Sequence, residues 1–197
     1  MPLISRWLVI VVTVVTAAVV FAALRSSSDD HCGNGLVLKG TECIGISDGS
    51  VRDFHDDLDG VLRKVHEENK RVRGTKDRVK IAFVIPATVG EGGPETLDSA
   101  RTQIQGALAA VHRANTKLGP RTIRFELVVA NTGDRSKYWE LVTEKIVADQ
   151  RIVAVTGLGT SIDTTLSAIT RLKRDKVPMV GATITADDLH DLSLIHI

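Results

Sequence analysis

Short apolar runs and helical periods alternate along the second half of the chain. Apolar runs predict strands at 79–86 (VKIAFVIP), 122–130 (TIRFELVVA), 152–157 (IVAVTG) and from 177 onward (VPMVG). Helical spacing predicts helices at 97–118, 137–149 and 161–176. Strands that alternate with helices of this length indicate βαβ units with right-handed crossovers. The predicted fold class is therefore α/β, an open parallel sheet with flanking helices in a Rossmann-like lobe.

A further amphipathic helix is predicted ahead of the first strand. Its apolar positions recur at helical spacing from Phe54 to Val72, and the opposite face is charged. The helix covers about 53–73, and Gly74 ends it. The pattern leaves two placements open, either packed on the main domain or in a stalk.

An uncharged stretch of 18 residues begins at Trp7 and ends at Leu24. This length approaches what a helix needs to span about 30 Å of hydrocarbon. An uncleaved anchor and a cleaved signal peptide both explain it. The anchor is favoured because Ala22, Ala23 and Leu24 form a poor cleavage site. A transmembrane helix is therefore expected before the soluble part, which places the protein at the cell membrane.

Two cysteines follow this stretch, Cys32 and Cys43. The residues between them include Gly35 and Gly40, which allow a tight loop to close. A disulfide is predicted, and it implies an oxidising, extracytoplasmic compartment. The alternative is a pair of unpaired thiols in a flexible stalk.

Charge and composition exclude several classes of protein. The chain has 25 Lys and Arg against 24 Asp and Glu, a net charge of +1, which gives no electrostatic case for nucleic-acid binding. Aromatic residues make up 4%, too few for a base-stacking surface. Two cysteines cannot form a four-cysteine zinc site, so no metal and no cofactor is expected.

The segments after the predicted strands are rich in glycine, threonine, serine and asparagine. They are residues 87–93, 131–134, 158–161 and 182–187. Ligands of open parallel sheets bind outside the carboxyl ends of the strands. Helix N-terminal amides with adjacent hydroxyls suit a carboxylate or another small anion. Any one hydroxyl is explained as a helix cap, but four such loops at one edge favour a ligand cleft.

Catalytic motifs are incomplete in this sequence. Residues 157–162 (GLGTSI) begin like a dinucleotide fingerprint, but the third glycine is absent and the motif follows the third strand. Residues 90–93 lack the Gly-Lys-Ser/Thr ending of a phosphate loop. No nucleophile, base and oxyanion donor assemble. A binding protein is expected rather than an enzyme, and a Rossmann-like nucleotide-dependent enzyme is the least favoured alternative.

The same residues resemble a known family. The runs IAFVIPAT, ELVVANTGD and 147–189 (VADQRIVAVTG to ITADDL) are similar to the amino-terminal lobe of type 1 periplasmic binding proteins. The branched-chain amino-acid substrate-binding proteins of ABC importers are the nearest group. The resemblance covers about 79–189 and implies a small ligand, an amino acid or small carboxylate, with an ABC permease as a possible partner. A membrane-anchored sensing ectodomain with the same fold is the alternative.

The resemblance also implies ligand-binding residues. In that family, backbone amides and hydroxyls of the third and fourth loops hold the ligand's carboxylate and amino group. Carried over by position, these are Thr160 and Ser161 after the third strand and Thr183 and Thr185 after the fourth. Thr88, in the first loop, is added by the same transfer.

Four segments are expected along the chain. Residues 1–25 are the anchor or uncleaved signal, 26–78 an extracytoplasmic stalk, and 79–191 a partial amino-terminal lobe. Residues 192–197 (LSLIHI) match the translation of a sequencing adaptor, although a genuine amphipathic strand is the alternative. The chain is therefore expected to be a fragment without the second lobe of the family.

Overall fold

Six strands form one mixed sheet in the computed structural model, which describes residues 32–52, 54–88, 90, 95–117, 119 and 123–181. The strands are β1 (Leu36–Lys39), β2 (Glu42–Ser47), β3 (Arg78–Ile85), β4 (Arg124–Asn131), β5 (Ile152–Gly157) and β6 (Met179–Gly181). Their order across the sheet is β1-β2-β4-β3-β5-β6. Strands β4, β3, β5 and β6 are parallel, whereas β1 and β2 are antiparallel to their neighbours. The parallel part agrees with the predicted fold class.

Helices cover both faces of this sheet. They are α1 (Asp59–Val72), α2 (Leu97–Lys117), α3 (Trp139–Ala148) and α4 (Asp163–Arg174). The helices α1 and α2 share one core with alternate residues of the central strands, including Phe83 and Leu127. The helices α3 and α4 share the other core, which includes Val84 and Val155. The alternation of Phe83 and Val84 between the two faces is what a strand buried on both sides requires.

The predicted stalk segment contributes to the same sheet and core. Strand β2 pairs with the end of β4, where Gly45, Ile46 and Ser47 lie opposite Asn131, Ala130 and Val129. Helix α1 packs on the main domain, one of its two predicted placements, because its apolar face is buried against the sheet beside α2. The hairpin was not predicted, since its strands are four and six residues long in a glycine-rich segment.

The Cys32–Cys43 disulfide is present, as predicted, with the two Cα atoms 5.5 Å apart. Cys43 lies in β2, and its register partner in β1 is Leu38. The bridge therefore fastens the chain ahead of the edge strand β1 to the second strand of the sheet. Closing this loop restricts the unfolded chain and so favours the paired hairpin.

Two buried asparagine side chains complete the outer edge of β4 where β2 ends. Asn69 of α1 accepts a hydrogen bond from the Leu127 N–H at 2.8 Å and donates one to the Leu127 carbonyl at 2.7 Å. Asn115 of α2 makes the same pair of bonds with Phe125, both at 2.9 Å. Each amide therefore hydrogen-bonds to the backbone as a neighbouring strand would, which satisfies buried polar groups and fixes both helices to β4.

A buried carboxylate joins α1 to α2. Glu68 accepts hydrogen bonds from Arg71 Nη2 at 2.6 Å and from Asn115 Nδ2 at 3.0 Å, and its Oε2 lies 2.8 Å from His112 Nδ1. Burial by itself raises the pKa of Glu68, but the hydrogen bonds from Arg71, His112 and Asn115 outweigh it and lower the pKa to about 2. Glu68 is therefore ionised at neutral pH despite being only 7% exposed.

Among the described residues, no helix is both long and apolar enough to cross a membrane. The predicted anchor, from Trp7 to Leu24, lies outside those residues. The segment 192–197 lies outside them as well.

Replacing Asn69 by alanine is expected to lower the free energy of unfolding by about 2–4 kcal/mol, because the buried N–H and C=O of Leu127 lose their partners. Urea denaturation measures the change. Lys70→Ala, one position along the same helix and exposed, is the matched control and should stay within about 0.5 kcal/mol of the parent chain. Equal effects of the two substitutions would contradict the role of the Asn69 amide.

Stability should fall with acid in a window set by Glu68. Its pKa in the folded protein, about 2, lies below the ordinary value of 4.5, so ionised Glu68 stabilises the fold fully above pH 4.5. The contribution, about 3 kcal/mol, is lost as the pH falls from 4.5 towards 2. Urea midpoints measured across this range should converge for the parent chain and Glu68→Gln. Glu67→Gln, an exposed neighbour, should leave the parent's pH profile unchanged.

Candidate ligand-binding site

The carboxyl edge of the parallel strands contains a topological switch point between β3 and β5. Helix α2, which follows β3, packs on one face of the sheet, and α4, which follows β5, packs on the other. The connections after these adjacent strands therefore diverge and leave a crevice between their ends. The loops after β3 and β5 border this crevice.

The turn after β5 is bent by three consecutive residues with positive φ. Gly157, Leu158 and Gly159 have φ of 89°, 72° and 69°. Leu158 adds backbone strain at this turn, because a residue with a side chain rarely adopts positive φ. Its burial and a 2.7 Å hydrogen bond from its N–H to the Val84 carbonyl hold it in this conformation. A Cβ on Gly159 would lie 3.1 Å from Pro86 Cδ, so this turn packs directly on the loop after β3.

Asn131 fixes the loop after β3. This side chain is fully buried and uses both ends of its amide. Its Nδ2 donates to Thr88 Oγ1 at 2.8 Å and to the Cys43 carbonyl at 3.0 Å. Its Oδ1 accepts from the N–H groups of Ala87 and Gly133, both at 2.9 Å. One residue therefore ties the loop after β3, the loop after β4 and strand β2 together.

The loop after β4 is hydrogen-bonded to the loop after β3 and to strand β2. Asp134 Oδ1 accepts a hydrogen bond from the Gly90 N–H at 3.1 Å, and the Asp134 N–H donates to Glu42 Oε2 at 3.0 Å. Thr164 Oγ1, in the first turn of α4, donates to the Arg135 carbonyl at 2.8 Å. Loops that follow three parallel strands are therefore joined at one edge with the start of β2.

Helix α4 begins without a side-chain cap from its N-cap residue. That residue is Ile162, whose side chain has no hydrogen-bonding atom to offer the N–H groups of the first turn. Thr165, in that first turn, has a buried hydroxyl oxygen with no hydrogen-bond partner among the described residues. Helix amino ends can accept an anion, and at α4 the exposed carboxylate of Asp163 lies in the same first turn.

Three of the five predicted ligand-binding residues lie in these loops. Thr88 follows β3, and Thr160 and Ser161 lie between β5 and α4; all three are half-buried. The structure brings them to the same edge through the contact of Gly159 with Pro86. Thr183 and Thr185 lie outside the described residues. The ligand-binding role of all five residues stays a prediction.

Sequence reasoning missed Asn131 as the residue that positions Thr88. Its signal was an asparagine at the end of an apolar strand, followed by Thr132 and Gly133. It also missed Glu42, because the strand that carries it was not predicted. In the part of the chain that the structure covers, no three His, Cys, Asp or Glu residues are grouped so as to hold a metal ion.

Solved structures that are similar to this chain include two transporter substrate-binding proteins. One is the branched-chain amino acid transporter substrate-binding protein LivJ from Streptococcus pneumoniae in complex with isoleucine, at 25% identity and a TM-score of 0.48, over 57% of this chain and 31% of LivJ. The other is an ABC transporter substrate-binding protein from Desulfitobacterium hafniense, at 17% identity and a TM-score of 0.47, over 61% of this chain and 34% of that one. Both are transporter substrate-binding proteins, the class that the sequence resembles.

The chain spans about a third of the length of these two proteins. No protein-family model and no curated protein matches the sequence.

Replacing a glycine by alanine is expected to have opposite effects on stability in the turn after β5 and inside α2. At Gly157 a Cβ would lie 2.6 Å from the Val84 carbonyl oxygen with φ at 89°, so Gly157→Ala should destabilise the fold by about 2 kcal/mol or more. Gly106, inside α2, has open space around it, so Gly106→Ala should stabilise by about 0.5–1 kcal/mol. Urea denaturation compares the two substitutions. A neutral or stabilising effect of Gly157→Ala would show that the turn after β5 is not constrained as described.

Proposed function

We propose that this chain is a lobe of an extracytoplasmic solute-binding protein that takes up a small ligand with a carboxylate, such as an amino acid. The observation that carries the proposal is the position of Thr160 and Ser161. They lie between a turn packed on the Thr88 loop and the amino end of α4, whose N-cap residue, Ile162, offers no side-chain cap. In the arrangement we propose, hydroxyls and helix amides face the space outside the carboxyl ends of the strands, where open parallel sheets bind their ligands.

Each group has a chemical part in this proposal. The ligand's carboxylate accepts hydrogen bonds from N–H groups at the start of α4 and from the hydroxyls of Thr160 and Ser161. Thr88 Oγ1 already accepts a hydrogen bond from Asn131 Nδ2, which directs its own proton elsewhere and lets it donate to the ligand. Thr183 and Thr185, which follow β6 in the sequence and lie outside the described residues, complete the set in this proposal, as the sequence resemblance implies.

The biological setting we propose is delivery of the ligand to an ABC permease. The Cys32–Cys43 disulfide supports an oxidising compartment outside the cytoplasm. The uncharged residues 7–24 would hold the domain at the outer side of the cell membrane. Such a tether also favours a second candidate, a ligand-sensing ectodomain with the same site. Permease and ATPase genes next to this gene would support transport, whereas a neighbouring kinase gene would support sensing.

Calorimetric titration with L-leucine and with L-leucinamide tests the ligand class. We expect L-leucine to bind more tightly than its amide by about tenfold, because only the acid presents a carboxylate to α4. Acetate and L-glutamate widen the search to other small carboxylates. An absence of binding and of thermal stabilisation by all of these compounds would overturn the proposal.

Two substitutions test the assigned residues. Thr160→Val and Ser161→Ala should each weaken binding of the best ligand by about 5–20-fold through loss of a hydroxyl donor. Thr170→Val is the matched control, since Thr170 lies on the exposed side of α4 and donates a hydrogen bond to the Leu166 carbonyl of its own helix. Affinities that do not differ between the site variants and this control would place the ligand elsewhere.

A further inference from the structure

Basic residues collect at the amino edge of the parallel strands, which we call the basic end. It consists of the last turn of each helix, the following turn and the start of the next strand, at residues 69–80, 114–117, 123–126, 145–152 and 171–179. These described segments contain fourteen Lys and Arg against four Asp and Glu, although the whole chain has a net charge of only +1. The excess arises because all four helices run antiparallel to the strands and therefore end at this edge.

Backbone hydrogen bonds join these segments into one surface. The Lys80 N–H donates to the Arg151 carbonyl at 2.7 Å, and the Arg124 N–H donates to the Asp77 carbonyl at 3.0 Å. On the far side of β5, the Val155 N–H donates to the Pro178 carbonyl at 2.9 Å. The cations therefore extend across the width of the parallel sheet.

Acidic side chains neutralise only part of this positive charge. Three of the four acids in these segments already pair with cations of the same end: Glu126 with Arg78, Asp149 with Lys80 and Asp175 with Arg171. Two further acids pair with cations of this end: Asp48, from the loop after β2, pairs with Arg73, and Glu68 of α1 pairs with Arg71. Within the described part of the chain, no acidic partner is found for the exposed side chains of Lys70, Lys76, Lys117 and Lys176.

Helix dipoles explain only part of this pattern. Each helix has an acid in its first turn and a cation in its last, as dipole compensation requires. The effect falls off within the last turn of a helix. Cations beyond the helices, such as Arg73, Lys76, Arg78, Arg151 and Lys176, need another account.

We propose that the basic end binds the anionic headgroups of a phospholipid surface. Long exposed side chains spread over a broad edge suit a fluid layer of phosphates, each cation adding about 1 kcal/mol near such a surface. A depression of about 470 Å³ at this end is lined by Arg73, Arg78, Lys80 and Arg151 together with Asp48 and Glu126, and all four cations already pair with acids. The exposed lysines are therefore the groups that headgroup phosphates would contact. The described residues of the basic end include no Trp or Tyr for base stacking, which disfavours single-stranded nucleic acid.

Protection of lysines by lipid tests the proposal on the whole chain. The chain is placed in nanodiscs of phosphatidylcholine, with or without about one third phosphatidylglycerol, and amine labelling is read by peptide mass spectrometry. We expect phosphatidylglycerol to slow labelling of Lys76, Lys117 and Lys176 by about fivefold, and salt at about 0.5 M to restore it. Lys64 and Lys137, away from the basic end, should react equally in both lipids. Equal labelling of the basic-end lysines in the two lipids would overturn the proposal.

Charge-reversal variants test whether lipid binding depends on where the cations lie or only on the net charge of the chain. Lys70, a basic-end lysine, should also be protected by phosphatidylglycerol in the parent chain, and the triple variant Lys76→Glu, Lys117→Glu, Lys176→Glu should abolish this protection of Lys70. The matched triple variant Lys39→Glu, Lys64→Glu, Lys137→Glu changes the net charge by the same amount, and in it the protection by phosphatidylglycerol should remain. Equal loss in both variants would refute a localised surface. Protection by duplex DNA and not by phosphatidylglycerol would assign the basic end to nucleic acid instead.

Discussion

The outer edge of β4 is the constraint on which the rest of this domain depends. An unpaired strand edge inside a protein leaves N–H and C=O groups without partners, and each buried group left so costs about 1–3 kcal/mol. Here β2 pairs with residues 129–131, while the amides of Asn115 and Asn69 pair with Phe125 and Leu127. A hairpin and two helices are therefore held by a single strand. The segment ahead of β3 is part of the fold because it supplies the hydrogen-bond partners for the backbone at the outer edge of β4.

The same strand connects the fold to the candidate site. Asn131 is the last residue of β4, and its amide holds Thr88 and the hairpin at once. A shift of β2 along β4 would therefore move the loop after β3 as well. The disulfide at Cys43 adds to this coupling, because the carbonyl of that cysteine is one of the two acceptors for Asn131 Nδ2. The pairing of β2 with β4 thus supports the loop after β3, and the fixed position of Thr88 is a consequence of this pairing.

Strands β3 to β6 and the four helices could be predicted because burial on two faces leaves continuous apolar runs, and burial on one leaves a helical period. The hairpin could not, since short edge strands carry neither signal. Asn115 is spaced with the apolar residues Ile104 and Val111 on one face of its helix, but its partner, Phe125, depends on which strand lies beneath. The strained turn was equally hidden, because Leu158 has no intrinsic preference for positive φ and adopts it only under tertiary contacts.

The net charge of the whole chain does not show how its charges are distributed over the structure. At +1 the chain shows no electrostatic preference, yet the topology separates its charges: cations gather where helices end, while residues 158–162 between β5 and α4 carry no charged side chain. A carboxylate ligand would there be met by amides and hydroxyls, whose hydrogen bonds are directional and less screened by salt than an exposed ion pair. The basic end lies at the opposite edge of the sheet, so contact with an anionic surface would leave the candidate cleft open to its ligand.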